Sequence, residues 1–172
     1  MLRKVIILIG FMGAGKSTVA QWLGKNLGWP VVSTDRMIEE RANSSIKDIF
    51  VKNGEAVFRG LEKAAVEELK DKLEIVIDCG GGVVLDQKNV EVLRTLGCVV
   101  YLSTRPDTVL ERVRHYSHRP LLNVPDTLKT IQDMLSTREI FYKQAAHKEI
   151  LTDGKTAEKI GQEILKWYDE YQ

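Results

Sequence analysis

Along this chain short apolar runs alternate with longer stretches in which apolar residues recur every three or four positions. The runs at 4–9, 30–33, 74–78, 98–103 and 148–152 predict strands. Val5-Ile6-Ile7-Leu8-Ile9 is apolar throughout, as a strand covered on both faces must be. Helices are predicted near 16–27, 35–42, 45–53, 55–71, 87–96, 106–114, 126–146 and 155–170. In 55–71 the apolar positions Val57, Phe58, Leu61, Ala65, Val66 and Leu69 keep close to the helical period. Asp86 and Thr104 are candidate caps for the helices that follow them. The alternation predicts an α/β fold, three αβα layers around a central, mainly parallel sheet of five strands, and one domain over residues 1–172.

Ligands of such sheets bind beyond the carboxyl ends of the strands. The polar residues just after the predicted strands are therefore candidates for one shared site: the loop at 10–17, Ser33-Thr34-Asp35, Asp78-Cys79-Gly80-Gly81-Gly82 and Ser103-Thr104. One segment breaks the alternation. Residues 115–126 hold two prolines and mixed polarity, and read as a mobile lid or as a plain surface connector.

Composition adds limits. The chain is 44% hydrophobic and 28% charged, as in ordinary soluble globular proteins. A net charge of +1 gives no general attraction to nucleic acid or to an acidic membrane. Its two cysteines, Cys79 and Cys98, lack metal-binding spacing and point to free thiols in a reducing cytoplasm. No apolar segment reaches the roughly 18 residues of a membrane span.

The candidate chemistry begins at Gly10-Phe11-Met12-Gly13-Ala14-Gly15-Lys16-Ser17, a full G-x-x-x-x-G-K-S phosphate-binding loop between a predicted strand and a predicted helix. Gly13, Ala14, Gly15, Lys16, Ser17 and Thr18 are the candidate nucleotide-binding positions. The glycines let backbone N–H groups converge on phosphate oxygens, and Lys16 is spaced to reach the β- and γ-phosphates. Ser17 is the candidate Mg²⁺ ligand. Asp35 follows the second strand and reads either as the group that orients or deprotonates an attacking hydroxyl, or as a helix cap. Asp78 ends the third strand, as the Mg²⁺-binding aspartate of many phosphate-loop ATPases does, but Cys79 stands where motor-type ATPases carry glutamate. Neither an N-K-x-D sequence nor a D-x-x-G switch is present, which disfavours a GTPase. Gly80-Gly81-Gly82 lets backbone pass close to a ligand, or forms a tight turn. Arg59, Arg112, Arg119 and Arg138 are candidates for carboxylate or phosphate recognition, each with a surface ion pair as the plainer reading; for Arg59 the ready partner is Glu62. His115, His118 and His147 read as surface residues.

Taken together these positions resemble the shikimate kinase family, small nucleoside-monophosphate-kinase-like phosphate-loop enzymes. The resemblance spans nearly the whole chain. It rests on the loop at 10–17, Ser33-Thr34-Asp35, the Phe58-Arg59-x-x-Glu62 run, Gly80-Gly81-Gly82, Arg119-Pro120-Leu121-Leu122, and Arg138 with Tyr142 four residues on. It implies a phosphate-loop kinase fold with a substrate-binding region near 34–62 and a lid near 113–125. It also implies transfer of the ATP γ-phosphate, with Mg²⁺, to the 3-hydroxyl of shikimate in aromatic amino-acid biosynthesis, by a cytoplasmic monomer. In that pattern Asp35, Lys16 and Arg119 are catalytic. Asp35, Arg59, Gly80, Gly81, Gly82 and Arg138 hold shikimate, Glu62 orients Arg59, and Phe50 and Phe58 line the apolar side of its ring. Arg112 resembles the arginine that stacks on adenine, and Thr152-Asp153-Gly154 takes the place of the adenine loop. Ser33 departs from the pattern, standing where many members carry an aspartate that acts on Mg²⁺ through water. A related gluconate or nucleotide kinase, and a nucleotide-binding module without turnover, are the other readings.

Overall fold

A computed structural model describes residues 4–114 and 127–171. In chain order the elements are β1 (Val5–Ile9), α1 (Lys16–Leu27), β2 (Val31–Ser33), α2 (Thr34–Ala42), α3 (Ile46–Glu68), β3 (Ile75–Asp78), a 3₁₀ turn (Val83–Leu85), α4 (Gln87–Leu96), β4 (Cys98–Ser103), α5 (Pro106–Val113), α6 (Thr127–Ala145), β5 (Lys148–Leu151) and α7 (Ala157–Tyr171). The five strands form one sheet in the order β2-β3-β1-β4-β5. Every pairing is parallel.

β1 is the central strand, and its five residues are fully buried. Their alternation divides the interior. Val5, Ile7 and Ile9 join a cluster with Val66 of α3 and Leu69 just beyond it, Leu93 of α4, and Ile131 and Tyr142 of α6. Ile6 and Leu8 join the opposite cluster, with Val19 and Leu23 of α1 and Ile160 and Ile164 of α7. An unbroken apolar run is thus what a central strand between two helical layers requires. The edges are short. β2 has three residues and β5 four, and in β5 Lys148 and Glu149 are exposed while Ile150 alone is buried.

Helix starts correct two expectations. Ser33 caps α2, its hydroxyl accepting the Arg36 N–H, so Asp35 lies in the first turn and is not the cap. Asp86 caps α4 as expected, accepting from Lys88 N. Thr104 does not cap α5. Its hydroxyl pairs with that of Thr152 at 2.8 Å, and the α5 start is held from outside by Asp153, which accepts from the Arg105 N–H and the Thr108 hydroxyl. The two helices expected at 45–53 and 55–71 are one element, α3, whose backbone leaves the helical region at Gly54 with φ +83°. His147 departs from expectation as well. It is half-buried, and its Nδ1 accepts the Val99 N–H at 3.0 Å while its own N–H bonds Val99 O. Among the described residues no helix is long and apolar enough to cross a membrane.

Candidate active site

Parallel register brings the strand ends into one row. Leu8 of β1 and Ser33 of β2 both pair with Asp78 of β3. Beyond β1 the chain turns through Gly13 (φ +76°) and Gly15 (φ +88°), which only glycine adopts without strain, and enters α1 at Lys16. No side chain caps α1, so its first-turn amides face the inside of the loop. Lys16 Nζ arches back across the loop, donating to Gly10 O at 2.9 Å and Phe11 O at 3.1 Å. The Ser17 hydroxyl donates to Asp78 Oδ2 at 2.5 Å.

The glycine run 80–82 forms a rail along one side of this row. A Cβ on Gly80 would stand 2.3 Å from Asp35 Oδ1, and one on Gly82 would stand 2.4 Å from Arg59 Nη1. Those two glycines therefore admit the carboxylate on one side and the guanidinium on the other. Gly81 differs, since a Cβ there would meet nothing nearer than Gly10 O at 3.6 Å. The rail is fixed in height by Gly80 N, which donates to the buried Thr34 hydroxyl at 2.9 Å, and by Gly81 O, which accepts from the Tyr142 hydroxyl. The guanidinium of Arg138, on α6, lies 5.9 Å from the centre of the Phe11 ring, and its charge opposes the upward push that burial gives the Tyr142 hydroxyl. A cleft of about 440 Å³ opens between the loop and the rail, lined by Lys16, Ser17, Asp35, Asp78 and Gly81 among others.

Arg59 is held on two sides. Its Nη1 donates to Glu62 at 2.7 Å and its Nη2 to Glu55 at 3.1 Å. Glu62 is buried, and loss of hydration pushes its carboxyl above the usual glutamate range against the pull of Arg59. Burial works against the Arg59 charge too, but Glu62 and Glu55 outweigh it and raise its proton affinity. Arg59 also packs 5.2 Å from the centre of the Phe58 ring, which lies 4.6 Å from Phe50. The pair Arg59–Glu62 is thus both the helical ion pair and a presented guanidinium.

The sequence candidates therefore separate into groups. Asp35, Arg59, Gly80, Gly81, Gly82 and Arg138 surround the rail, and Gly13, Ala14, Gly15, Lys16, Ser17 and Thr18 form the loop and helix start facing it. Arg112 bonds Gly13 O at 2.9 Å and the Thr152 hydroxyl at 3.2 Å, joining the phosphate loop to the turn after β5. Arg119, the rest of the expected lid from 115 on, His115 and His118 lie outside the described residues. The sequence reading left Asp78 out of the metal set and gave Thr34 and Tyr142 no role. The strand-end position of Asp78 was the available signal. Thr34 and Tyr142 stood in motifs that carry the resemblance, but their partners lie far along the chain and gave them no role.

Ser17 and Asp78 fit Mg²⁺. Both are hard oxygen donors in contact with each other beside a phosphate loop, and Mg²⁺ takes few protein ligands, keeping waters and phosphate oxygens. Among the described residues no three or more His, Cys, Asp or Glu side chains converge into a metal cage.

The shikimate kinase family model matches residues 12–169. A shikimate kinase of Caldanaerobacter subterraneus subsp. tengcongensis is 40% identical over 96% of this chain and 96% of its own length. One of Moorella thermoacetica is 43% identical over 92% of this chain and 91% of its own. Among solved structures, the shikimate kinase from Acinetobacter baumannii in complex with shikimate superposes with a TM-score of 0.94 at 35% identity, covering 100% of this chain and 96% of that one. With the phosphate loop, the glycine rail and these full-length matches in agreement, the chain belongs to the shikimate kinase family.

Proposed function

We propose that this chain transfers the γ-phosphate of ATP to the 3-hydroxyl of shikimate, giving ADP and shikimate 3-phosphate for aromatic amino-acid biosynthesis. The observation that carries the reading is the glycine rail, where a carboxylate (Asp35) and two guanidiniums (Arg59, and Arg138 against the Phe11 ring) stand beside a phosphate loop. A small polyhydroxylated acid needs both: a cationic clamp for its carboxylate and an acceptor for its reacting hydroxyl. The homologue solved with shikimate supports the choice of acid.

In this mechanism the loop amides of residues 13–18 and Lys16 Nζ hold the β- and γ-phosphates and stabilise the charge that develops during transfer. Lys16 is pre-placed on the carbonyls of Gly10 and Phe11, which it exchanges for phosphate oxygens. Ser17 and Asp78 would hold Mg²⁺, which would supply charge neutralisation for the phosphates. Arg59 and Arg138 bind the shikimate carboxylate. Asp35 accepts the hydrogen of the 3-hydroxyl and aims its oxygen at the phosphorus. Arg119, assigned from the Arg119-Pro120-Leu121-Leu122 motif, adds positive charge at the transferring group, and Arg112 contacts the nucleotide base. We also assign a monomer, and a place in the cytoplasm that two buried, unbridged thiols support. A coupled ADP-release assay on the purified chain tests the activity. ADP release that depends on shikimate is expected, and release no greater than the ATP-only background overturns the proposal.

A further inference from the structure

Thr34 carries a fully buried hydroxyl at the edge of the site. It opens α2, between Ser33 and Asp35. The start of that helix is already capped by the Ser33 hydroxyl, so the Thr34 hydroxyl is not needed there. It serves the rail instead, accepting the Gly80 N–H at 2.9 Å across 46 positions of sequence. Gly80 is thus met twice from α2, by consecutive residues. Thr34 holds its N–H, and Asp35 Oδ1 fills the place where a Cβ would stand. The first of these side chains faces the interior, and the second is half-buried and lines the cleft. Because the two residues share one helical turn, the bond from Gly80 to Thr34 determines how far the Asp35 carboxylate stands from the rail.

We propose that Thr34 is a positioning residue for phosphoryl transfer: its buried hydroxyl fastens Gly80 to the first turn of α2 and so sets the Asp35 carboxylate at its working distance from the rail, where the reacting hydroxyl of the acid is received. The proposal rests on the shikimate reading above. A neutral acceptor suits this task, because a second carboxylate next to Asp35 would repel it and favour its protonated form. Without the Thr34 hydroxyl the Gly80 amide becomes a buried donor that has lost its acceptor, a costly state that a shift of the rail relieves. Such a shift moves Asp35 relative to the acid and leaves the phosphate loop, on the other side of the cleft, as it was.

Steady-state kinetics and thermal melting of the full chain test this with Thr34→Val, Thr34→Ser, Asp35→Asn and the double variant of Thr34→Val with Asp35→Asn. Valine keeps the shape of threonine and removes the hydroxyl. Its kcat should fall about tenfold, while the KM for ATP stays within about twofold. Thr34→Ser, which keeps the hydroxyl, should restore kcat to within about threefold of the wild type. In the Asp35→Asn background the valine change should lower kcat by less than about twofold, because the carboxylate it positions is gone. A wild-type kcat in Thr34→Val, an equal loss in Thr34→Ser, an equal loss in both backgrounds, or a matching rise in the KM for ATP overturns the proposal. A purely structural role would lower the thermal midpoint and leave kcat, measured well below that midpoint, alone. If Thr34→Val does not fold, Thr34→Ala and Thr34→Ser, which differ by that one oxygen, make the comparison, and equal kcat values in the two then overturn the proposal. A wild-type chain that turns over no shikimate overturns this inference and the functional reading together, whereas a working wild type with an indifferent Thr34→Val overturns this inference alone.

Discussion

At the scale of single residues the site is decided by what two glycines leave out. Gly80 has no Cβ because Asp35 Oδ1 occupies that space, and Gly82 has none because Arg59 does. Gly80→Ala should therefore act as an active-site mutation in a chain that still folds, since the atom displaced is the far end of a side chain. Its kcat should fall about a hundredfold, the cost of moving a reacting group by about 1 Å. The thermal midpoint should stay near that of the wild type, and a kcat within about twofold of wild type would show that Asp35 does not act from this position. Asp35→Asn, which removes charge and keeps shape, should lower kcat by about 10²–10⁴-fold if Asp35 takes the proton. A far smaller loss would leave Asp35 with orientation only. The sequence showed where Asp35 stands, because it follows a strand and strand ends face the ligand. It left the choice between base and cap open, and Ser33 closes one side of that choice by taking the cap. The glycine run was read as backbone passing close to a ligand or as a tight turn, and at Gly80 and Gly82 the space a Cβ would take is filled by Asp35 and Arg59. That was illegible because Asp35 and Arg59 meet the rail only through tertiary packing.

Among the elements, α3 carries most of the side chains to which the proposed mechanism gives recognition of the acid. Its break at Gly54 divides a segment bearing Phe50 from one bearing Phe58, Arg59 and Glu62. The division was visible in the sequence as two helices, since glycine interrupts the period. The continuity across it was not, because a single residue at positive φ leaves the helix direction to packing. Glu62 is buried and its partner Arg59 is partly exposed, so their ion pair is asymmetric. The folded carboxyl titrates above the reference value of 4.5, so ionised Glu62 opposes folding. That penalty is absent below about pH 4.5 and grows as pH rises through the raised folded value. Glu62→Gln removes the penalty and loosens Arg59, which can still reach water and Glu55. At pH 7 the variant should keep or gain thermal stability while its KM for shikimate rises several-fold. A lower melting temperature with unchanged KM would make Glu62 a structural residue only.

Across the whole molecule, the α/β class and all five strands were legible because a sheet covered on both faces demands apolar runs, and these runs have few other uses. The strand order was not, since β1, β3 and β4 are all apolar and nothing local says which lies in the middle. The half-buried role of His147 also escaped, because imidazole looks the same in sequence whether it faces water or a backbone amide. It links β4 to the approach of β5 through Nδ1, which accepts only when unprotonated. Burial, with Arg94 adding to it, holds the folded His147 below the ordinary value of 6.5. Its contribution to stability is therefore complete above about pH 6.5 and lost as pH falls through the lower folded value. Thermal midpoints should decline on acidification from about pH 6.5, and His147→Asn, whose carbonyl can accept the same amide, should flatten that part of the curve. An identical decline in the variant would assign it to other groups.

The brevity of the outer strands bears on how these molecules meet one another. An open sheet invites a neighbour to add a strand, and the invitation grows with the length and flatness of its margin. Here one margin ends after three residues, where α2 begins, and the other is four residues with an exposed lysine and an exposed glutamate in succession. In a crowded solution such margins give ribbon-like self-association little to template, so a concentrated stock should resist fibril formation without any surface redesign.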